Sequence, residues 1–308
     1  MTMPADIREE PQMLETQQFK RATTGFTRIV DAFRQDARLW FGVVLILIIL
    51  AALFAPLISP YSPLLYHPSI ATQGPSLAHP LGTDVLGRDQ LSRIIFGTRI
   101  SLSVGIASIL LGGMLGTFMG IIAAYARGWI DQIITMIVDA LLSFPSLILA
   151  LAIAAALGPN IINVAIALAI VRIPIYARIA RGQTLQESTQ QYLEAARVSG
   201  TRTWKILLRH ILPNIFSPLL VQATISISFA ILDESVLSFL GLGAQPPTPE
   251  WGSMISDAQG YLATDPWMVV GPALAIIIVV LSLNLFGDAI RDRLDPRSAT
   301  RFVSPTKE

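Results

Sequence analysis

The 308-residue chain contains no cysteine, which removes disulfides, thiolate metal sites and a cysteine nucleophile from consideration. Its histidines, His67, His79 and His210, are far apart and form no metal-ligand spacing. Lysine is nearly as scarce: Lys20, Lys205 and Lys307 are the whole complement, and none stands in a glycine-rich loop. A Gly-x-x-x-x-Gly-Lys-Ser/Thr phosphate loop is therefore absent, and so is the His-Glu-x-x-His zinc pattern. Charge of either sign is sparse, at 14% of residues against about 25% in an average soluble domain. No basic run of the kind that follows a nucleic-acid backbone occurs, and the net charge of +1 identifies no partner.

What the chain has instead is apolar length, with 53% of its residues hydrophobic. Residues 39–58 carry no charge, and twenty helical residues cover about 30 Å, the thickness of a bilayer core. They are too long for a signal-peptide core and are preceded by a long region, so they read as a retained anchor. Further spans are expected at about 100–126, 133–157, 161–180, 215–240 and 267–289, six in all. The fold class this implies is an all-α membrane protein with a multi-pass helical bundle.

Residues 1–25 are polar and aperiodic and predict a mobile tail. Phe26, Ile29, Val30, Phe33 and Ala37 then recur at helical spacing with Arg28, Arg34 and Arg38 on other faces, which predicts a helix lying in the membrane interface. After the first span, residues 59–98 form a proline-rich loop whose opposite charges, in Leu81-Gly82-Thr83-Asp84, Gly87-Arg88-Asp89 and Ser92-Arg93, can pair locally.

Gly112, Gly116 and Gly120 stand four apart in the second span and open a groove in which another helix can approach to backbone distance. Arg172 lies within the fourth span, where an arginine costs about 3 kcal/mol that the neighbouring aliphatic residues barely offset. It must reach an interface or a partner in the bundle. Asp139, Gln222, Asp233 and Glu234 are polar residues inside spans and are candidates for lining a solute path, since buried ionisable groups are expensive and tend to serve function.

Residues 189–213 lie between two spans, yet hold Glu194, Arg197, Arg202, Lys205 and Arg209, too many charges for a span. Ser188 and Gln191 fit a capping box that starts a short helix near Thr189, and Gly200 supplies the left-handed residue that ends it. Ala195 and Ala196 leave a patch that a partner can approach closely. A second helix from Trp204 to Leu212 is expected to stop at Pro213. Six spans put both termini on one side. All arginines and lysines except Arg88, Arg93 and Arg99 fall on that side, counting Arg172, so termini and docking segment are expected in the cytoplasm.

Glu194-Ala195-Ala196, three residues, Gly200, nine residues and His210-Ile211-Leu212-Pro213 resembles the cytoplasmic coupling motif of ABC importer permeases. His210 stands where the usual pattern has isoleucine. The ending His210-Ile211-Leu212-Pro213-Asn214 is similar to that of the peptide-transporting branch. The Gly-Thr-Asp, Gly-Arg-Asp, Ser-Arg series and the segment from Gly241 to Gly252 look like the entry and outer loops of the oligopeptide, dipeptide, glutathione and nickel permeases.

The resemblance spans about residues 40–296. It implies the type-1 importer permease fold, with the cytoplasmic tail and interfacial helix at 1–38, the first span at 39–58, the extracytoplasmic loop at 59–98, the permease core at 99–290 and a cytoplasmic tail at 291–308. It further implies an inner-membrane, multi-pass subunit with no catalytic residue or cofactor of its own. ATP and Mg would be bound by two cytoplasmic ATPase subunits docking on Glu194, Ala195, Ala196, Gly200, Leu212 and Pro213. A second permease chain and an extracytoplasmic solute-binding protein complete the assembly, in the lipid membrane and without nucleic acid. The cargo implied is di- or oligopeptides, with nickel or glutathione as alternatives. From the residues alone, a proton-driven secondary transporter using Asp139 and Asp233, or a membrane scaffold that only docks a protein, stays open.

Overall fold

The computed structural model describes residues 36–294. The tail expected to be mobile, nearly all of the expected interfacial helix and the chain after Leu294 lie outside the described residues. Asp36 opens the described part, its Oδ1 accepting the Arg38 N–H at 3.0 Å at the start of a 3-10 turn over Ala37–Leu39.

Helix α1, Trp40–Leu53, carries the charge-free run and breaks at Phe54, after which α2, Ala55–Ile58, adds one more turn with Pro56 in its first turn. Proline fits there because the first helical N–H groups have no partner to lose. The loop that follows is longer in turns and shorter in residues than expected, because helix α3, Gln90–Ala126, starts ten residues before position 100. Asp89 is the cause. Its Oδ2 accepts the Ser92 N–H at 2.8 Å and the Ser92 hydroxyl at 2.6 Å, an N-cap that leaves the helix free to run for 37 residues, about 55 Å.

Helix α3 packs along α6, Ile161–Glu187, and the three spaced glycines lie in the contact. A Cβ at Gly112, Gly116 or Gly120 would stand 2.3 Å from the carbonyl oxygens of Ala169, Ile173 and Ala177 respectively. Without hydrophobic drive between helices in lipid, this backbone approach supplies the dispersion contact that holds the pair.

Between them, the third span, expected at about 133–157, is two helices, α4 at Gly128–Leu142 and α5 at Ser146–Leu157, bent by 93°. Pro145 sets the bend: it excludes Phe144 from helical continuation and itself sits extended, at ψ 128°, as the N-cap of α5. Among the described residues four helices are long and apolar enough to cross a membrane, five if α4 and α5 count as one broken span, with α1 a shorter apolar helix beside them.

After α6 come α7 (Gln191–Val198), α8 (Thr203–Ile206) and α9 (Leu212–Phe239), then α10 (Trp251–Ala258) and α11 (Trp267–Leu294). Pro213 does not end a helix, contrary to expectation. The turn Leu207–Ile211 widens into a π-helix, and the chain runs on into α9. A wider turn relaxes the clash and the missing N–H that proline brings, so continuation costs little. Trp251, fully buried at the start of α10, donates its indole N–H to the Ile94 carbonyl at 3.1 Å and fastens the outer helix to α3.

Candidate functional site

Helix α7, in the segment between α6 and α9, is held by one buried side chain. Leu193 has no exposure and packs with Ile206, Ile211, Ile215 and Tyr176 in the largest core cluster, so α7 is anchored to the bundle by its inner face. Glu194 and Ala195 on the outer face are exposed, Ala196 is half-buried, and Val198 is 89% exposed. An exposed valine beside an alanine pair is apolar surface that none of the described residues covers.

Helix α7 starts later than expected. Ser188 does not cap it, because its hydroxyl donates to the Leu185 carbonyl at 2.8 Å and stays with α6, and Gln190 takes the N-cap position without a side-chain bond. The end is as the sequence predicts. Gly200 has φ +73°, its N–H donates to the Arg197 carbonyl at 3.0 Å, and the Thr201 N–H reaches back to Ala196 at 3.0 Å. Nothing lies within 4 Å of an added Cβ there, so it is the backbone conformation alone that favours glycine.

Four contacts that sequence reasoning missed brace the segment. Tyr192 donates its hydroxyl to Glu187 at the end of α6, and Asn214 at the start of α9 donates to Glu187 Oε1 at 3.1 Å and to the Tyr192 oxygen at 2.7 Å. The Arg197 guanidinium lies 5.5 Å from the centre of the Tyr125 ring at the end of α3, a cation–π contact. His210, the departure from isoleucine, sits 6.1 Å from the Tyr192 ring centre. Three spans are thus tied to one eight-residue helix. Leu212 is half-buried and Pro213 exposed at the junction with α9, while Arg202, Lys205, Arg209 and His210 line an open basic recess of about 570 Å³ beside Gly200.

The four polar residues proposed from sequence to line a solute path are not brought together. Asp139 pairs with Arg178 at 2.9 Å on an exposed face between α4 and α6. Gln222 donates to Ser226 at 3.0 Å on α9. Asp233, about three turns further along the same helix, meets Arg172 at 2.5 Å, which answers where the intramembrane arginine goes. Glu234 is fully buried and turned toward Glu250 at the start of α10. A further pair, Asp131 with Arg181 at 2.6 and 2.7 Å, escaped sequence reasoning because its members are 50 residues apart.

On the opposite side of the bundle, the loop charges pair as expected. Asp84 Oδ1 accepts the N–H groups of Leu86 and Arg88, both at 2.9 Å, and its Oδ2 takes the Arg88 guanidinium at 2.6 Å, with Arg93 at 3.6 Å. His79 Nδ1 stands 2.9 Å from Asp89 Oδ1.

A bundle of apolar helices with a surface helix braced between its spans is the build of a multi-pass membrane protein. Comparison agrees: the chain belongs to the family of binding-protein-dependent transport system inner membrane components, which it matches over residues 116–300. Residues 30–79 match the N-terminal transmembrane domain of oligopeptide transport permease C.

Among curated relatives, the dipeptide transport system permease protein DppC of Alkalihalophilus pseudofirmus is 43% identical over 87% of this chain and 89% of its own length. The glutathione transport system permease protein GsiD of Pectobacterium atrosepticum is 45% identical over 86% and 88%. The di/tripeptide transport system permease protein DppC of Pseudomonas aeruginosa is 44% identical over 82% and 86%. Among solved structures, the inward-facing MetNI methionine ABC transporter superposes with a TM-score of 0.56 at 18% identity, covering 67% of this chain and 97% of that one. At that identity the likeness speaks for the fold.

Proposed function

We propose that this chain is one of two membrane subunits of an ATP-driven importer of di- and oligopeptides, and that separate ATPase subunits dock on residues 189–213. The observation that carries the reading is the construction of α7. Its inner face is locked to the bundle by Leu193, while Glu194, Ala195 and Val198 project outward. Force applied to that outer face passes through the Glu187–Tyr192–Asn214 contacts into α6 and α9 and through Arg197 to α3.

With no phosphate loop of its own, the subunit relies on its partners for ATP and Mg. A solute-binding protein delivers cargo from the other side. The positive-inside distribution supports cytoplasmic termini and a cytoplasmic docking segment. Peptide cargo is supported by relatives whose names specify dipeptide, di/tripeptide and glutathione transport, all small peptides. Gln222 and Asp233, three turns apart on α9, are the residues we assign to the solute path.

The test is uptake of a labelled dipeptide by the assembled complex in sealed vesicles. Uptake that requires enclosed ATP and survives an uncoupler supports the reading. Uptake that survives ATP depletion and collapses with the uncoupler identifies a proton-driven transporter instead.

A further inference from the structure

The helix that becomes α9 is longer than a bilayer needs. From Thr203 the chain is helical without interruption through α8 and the π turn to Phe239, 37 residues or about 55 Å, against a hydrocarbon core of about 30 Å. Residues 211–232 carry no charge and rise about 33 Å, so they are the part that fills the core. What precedes them belongs to the headgroup layer and its aqueous edge. Arg209 and Lys205 stand about 3 and 9 Å before the charge-free run, within reach of that layer for long flexible side chains, and Arg202 holds the N-cap position of α8 just beyond.

This end of the helix has two faces. Trp204, Leu208, Leu212, Phe216 and Leu220 recur at every fourth residue, and all but the half-buried Leu212 are exposed, Trp204 by 55% and Leu208 by 59%. The stripe that Phe216 and Leu220 present within the core therefore continues to Trp204, and tryptophan is the side chain best suited to the boundary of acyl chains and headgroups.

Beside the stripe, Arg202, Lys205 and Arg209, with Gly200, Thr201 and His210, line the open recess of about 570 Å³. Among the described residues no carboxylate lines it, and none of its arginine and lysine side chains has an ion-pair partner. Lys205 Nζ lies 5.8 Å from the centre of the Trp204 ring, so the charged and apolar faces share an edge. Three like charges around one volume repel one another, and an anion placed among them relieves all three.

We propose that the recess binds the headgroup phosphate of an anionic phospholipid, whose acyl chains lie along the stripe from Trp204 to Leu220. One amphiphile satisfies both faces: its phosphate meets the three cations while its tails cover the exposed apolar residues. A soluble anion leaves the stripe bare. An acidic protein surface seated in the recess leaves the stripe uncovered as well. The site goes beyond the functional reading and does not rest on it. It fixes residues 202–209 to the leaflet and leaves the outer face of α7, with Glu194 and Ala195, free for a protein partner.

Lys205 reports on its own site, because the chain has only two other lysines, Lys20 and Lys307, and these serve as internal references. The purified complex is placed in bilayer discs of phosphatidylcholine alone or with about 30% phosphatidylglycerol, and an amine-reactive reagent is followed lysine by lysine by mass spectrometry. Relative to the two references, labelling of Lys205 should slow by about threefold or more when phosphatidylglycerol is present. In Arg202→Gln/Arg209→Gln the two kinds of disc should label Lys205 alike. Should that variant fail to assemble, about 1 M sodium chloride should remove the phosphatidylglycerol effect in the native protein.

Glycerol phosphate added to phosphatidylcholine discs, at ionic strength matched by chloride, should leave Lys205 as reactive as before. Equal labelling of Lys205 in both discs overturns the lipid site, and so does protection that survives in the double variant or in high salt. Protection already complete in phosphatidylcholine assigns the recess to a protein partner, and protection by glycerol phosphate assigns it to a soluble anion. Either result overturns the proposal.

Discussion

Arg172 of α6 and Asp233 of α9 meet at 2.5 Å, 61 residues apart in sequence, with side chains only 13% and 18% exposed. Each alone would be a charge stranded in the bundle, and their pairing makes the fourth span tolerable. Replacing one member, as in Asp233→Asn or Arg172→Met, is expected to lower stability by about 3–5 kcal/mol, whereas Arg172→Met with Asp233→Leu should regain most of it. Thermal unfolding of the purified complex in detergent, compared across the two singles and the double, checks this. A double variant no better than the singles would contradict it.

The glycine contact between α3 and α6 makes an opposite pair of predictions at two glycines of one bundle. Gly116→Val pushes side-chain atoms into the Ile173 carbonyl and the Tyr176 Cβ, 2.3 and 2.8 Å from the built Cβ, and should cost at least about 2 kcal/mol. Gly182→Ala, on α6 with nothing within 4 Å, should be neutral or stabilising by about 0.5–1 kcal/mol, since alanine is the better helix former. The yield of folded, membrane-inserted protein and its melting temperature measure both.

Asp89 starts α3. Asp89→Ala is expected to remove about 1–2 kcal/mol through loss of the Ser92 cap, and to free His79 as well. Faster protease cleavage within residues 59–89, with residues 189–213 unaffected, is the expected sign.

How much of this was legible in the sequence depends on how local each signal is. Gly200 was readable because a left-handed residue after a short amphipathic helix is a local requirement. The glycine spacing in α3 and the loop pairing around Asp84 were readable for the same reason. The bend at Pro145 and the passage of the chain through Pro213 were not, because proline permits either a break or a relaxed turn and the packing of neighbours decides. Ser188 carried a valid capping signal but bonded backward to Leu185, since α6 extends to Glu187 and claims it. The destinations of Arg172, Asp131 and Glu234 are long-range facts. Sequence indicates that such groups need partners and does not say which.

Gly200 separates backbone from contact effects. With open space around it, Gly200→Val should act only through its φ of +73°, costing about 1–2 kcal/mol locally and swinging α7 off its axis, while Gly200→Asn should be milder because asparagine tolerates the left-handed region. ATP hydrolysis stimulated by loaded binding protein should fall for valine well before it falls for asparagine. Equal effects would point to lost contacts instead.

Because the chain has no native cysteine, Ala195→Cys creates a single thiol on the outer face of α7 and Thr248→Cys a single thiol on the loop at the other end of α9. In sealed membranes containing the whole transporter, a short thiol-directed crosslinker should join Ala195→Cys, and not Thr248→Cys, to the ATPase subunit. Modification of Ala195→Cys by an impermeant reagent added from outside, or no crosslink to the ATPase in an active complex, would contradict the account.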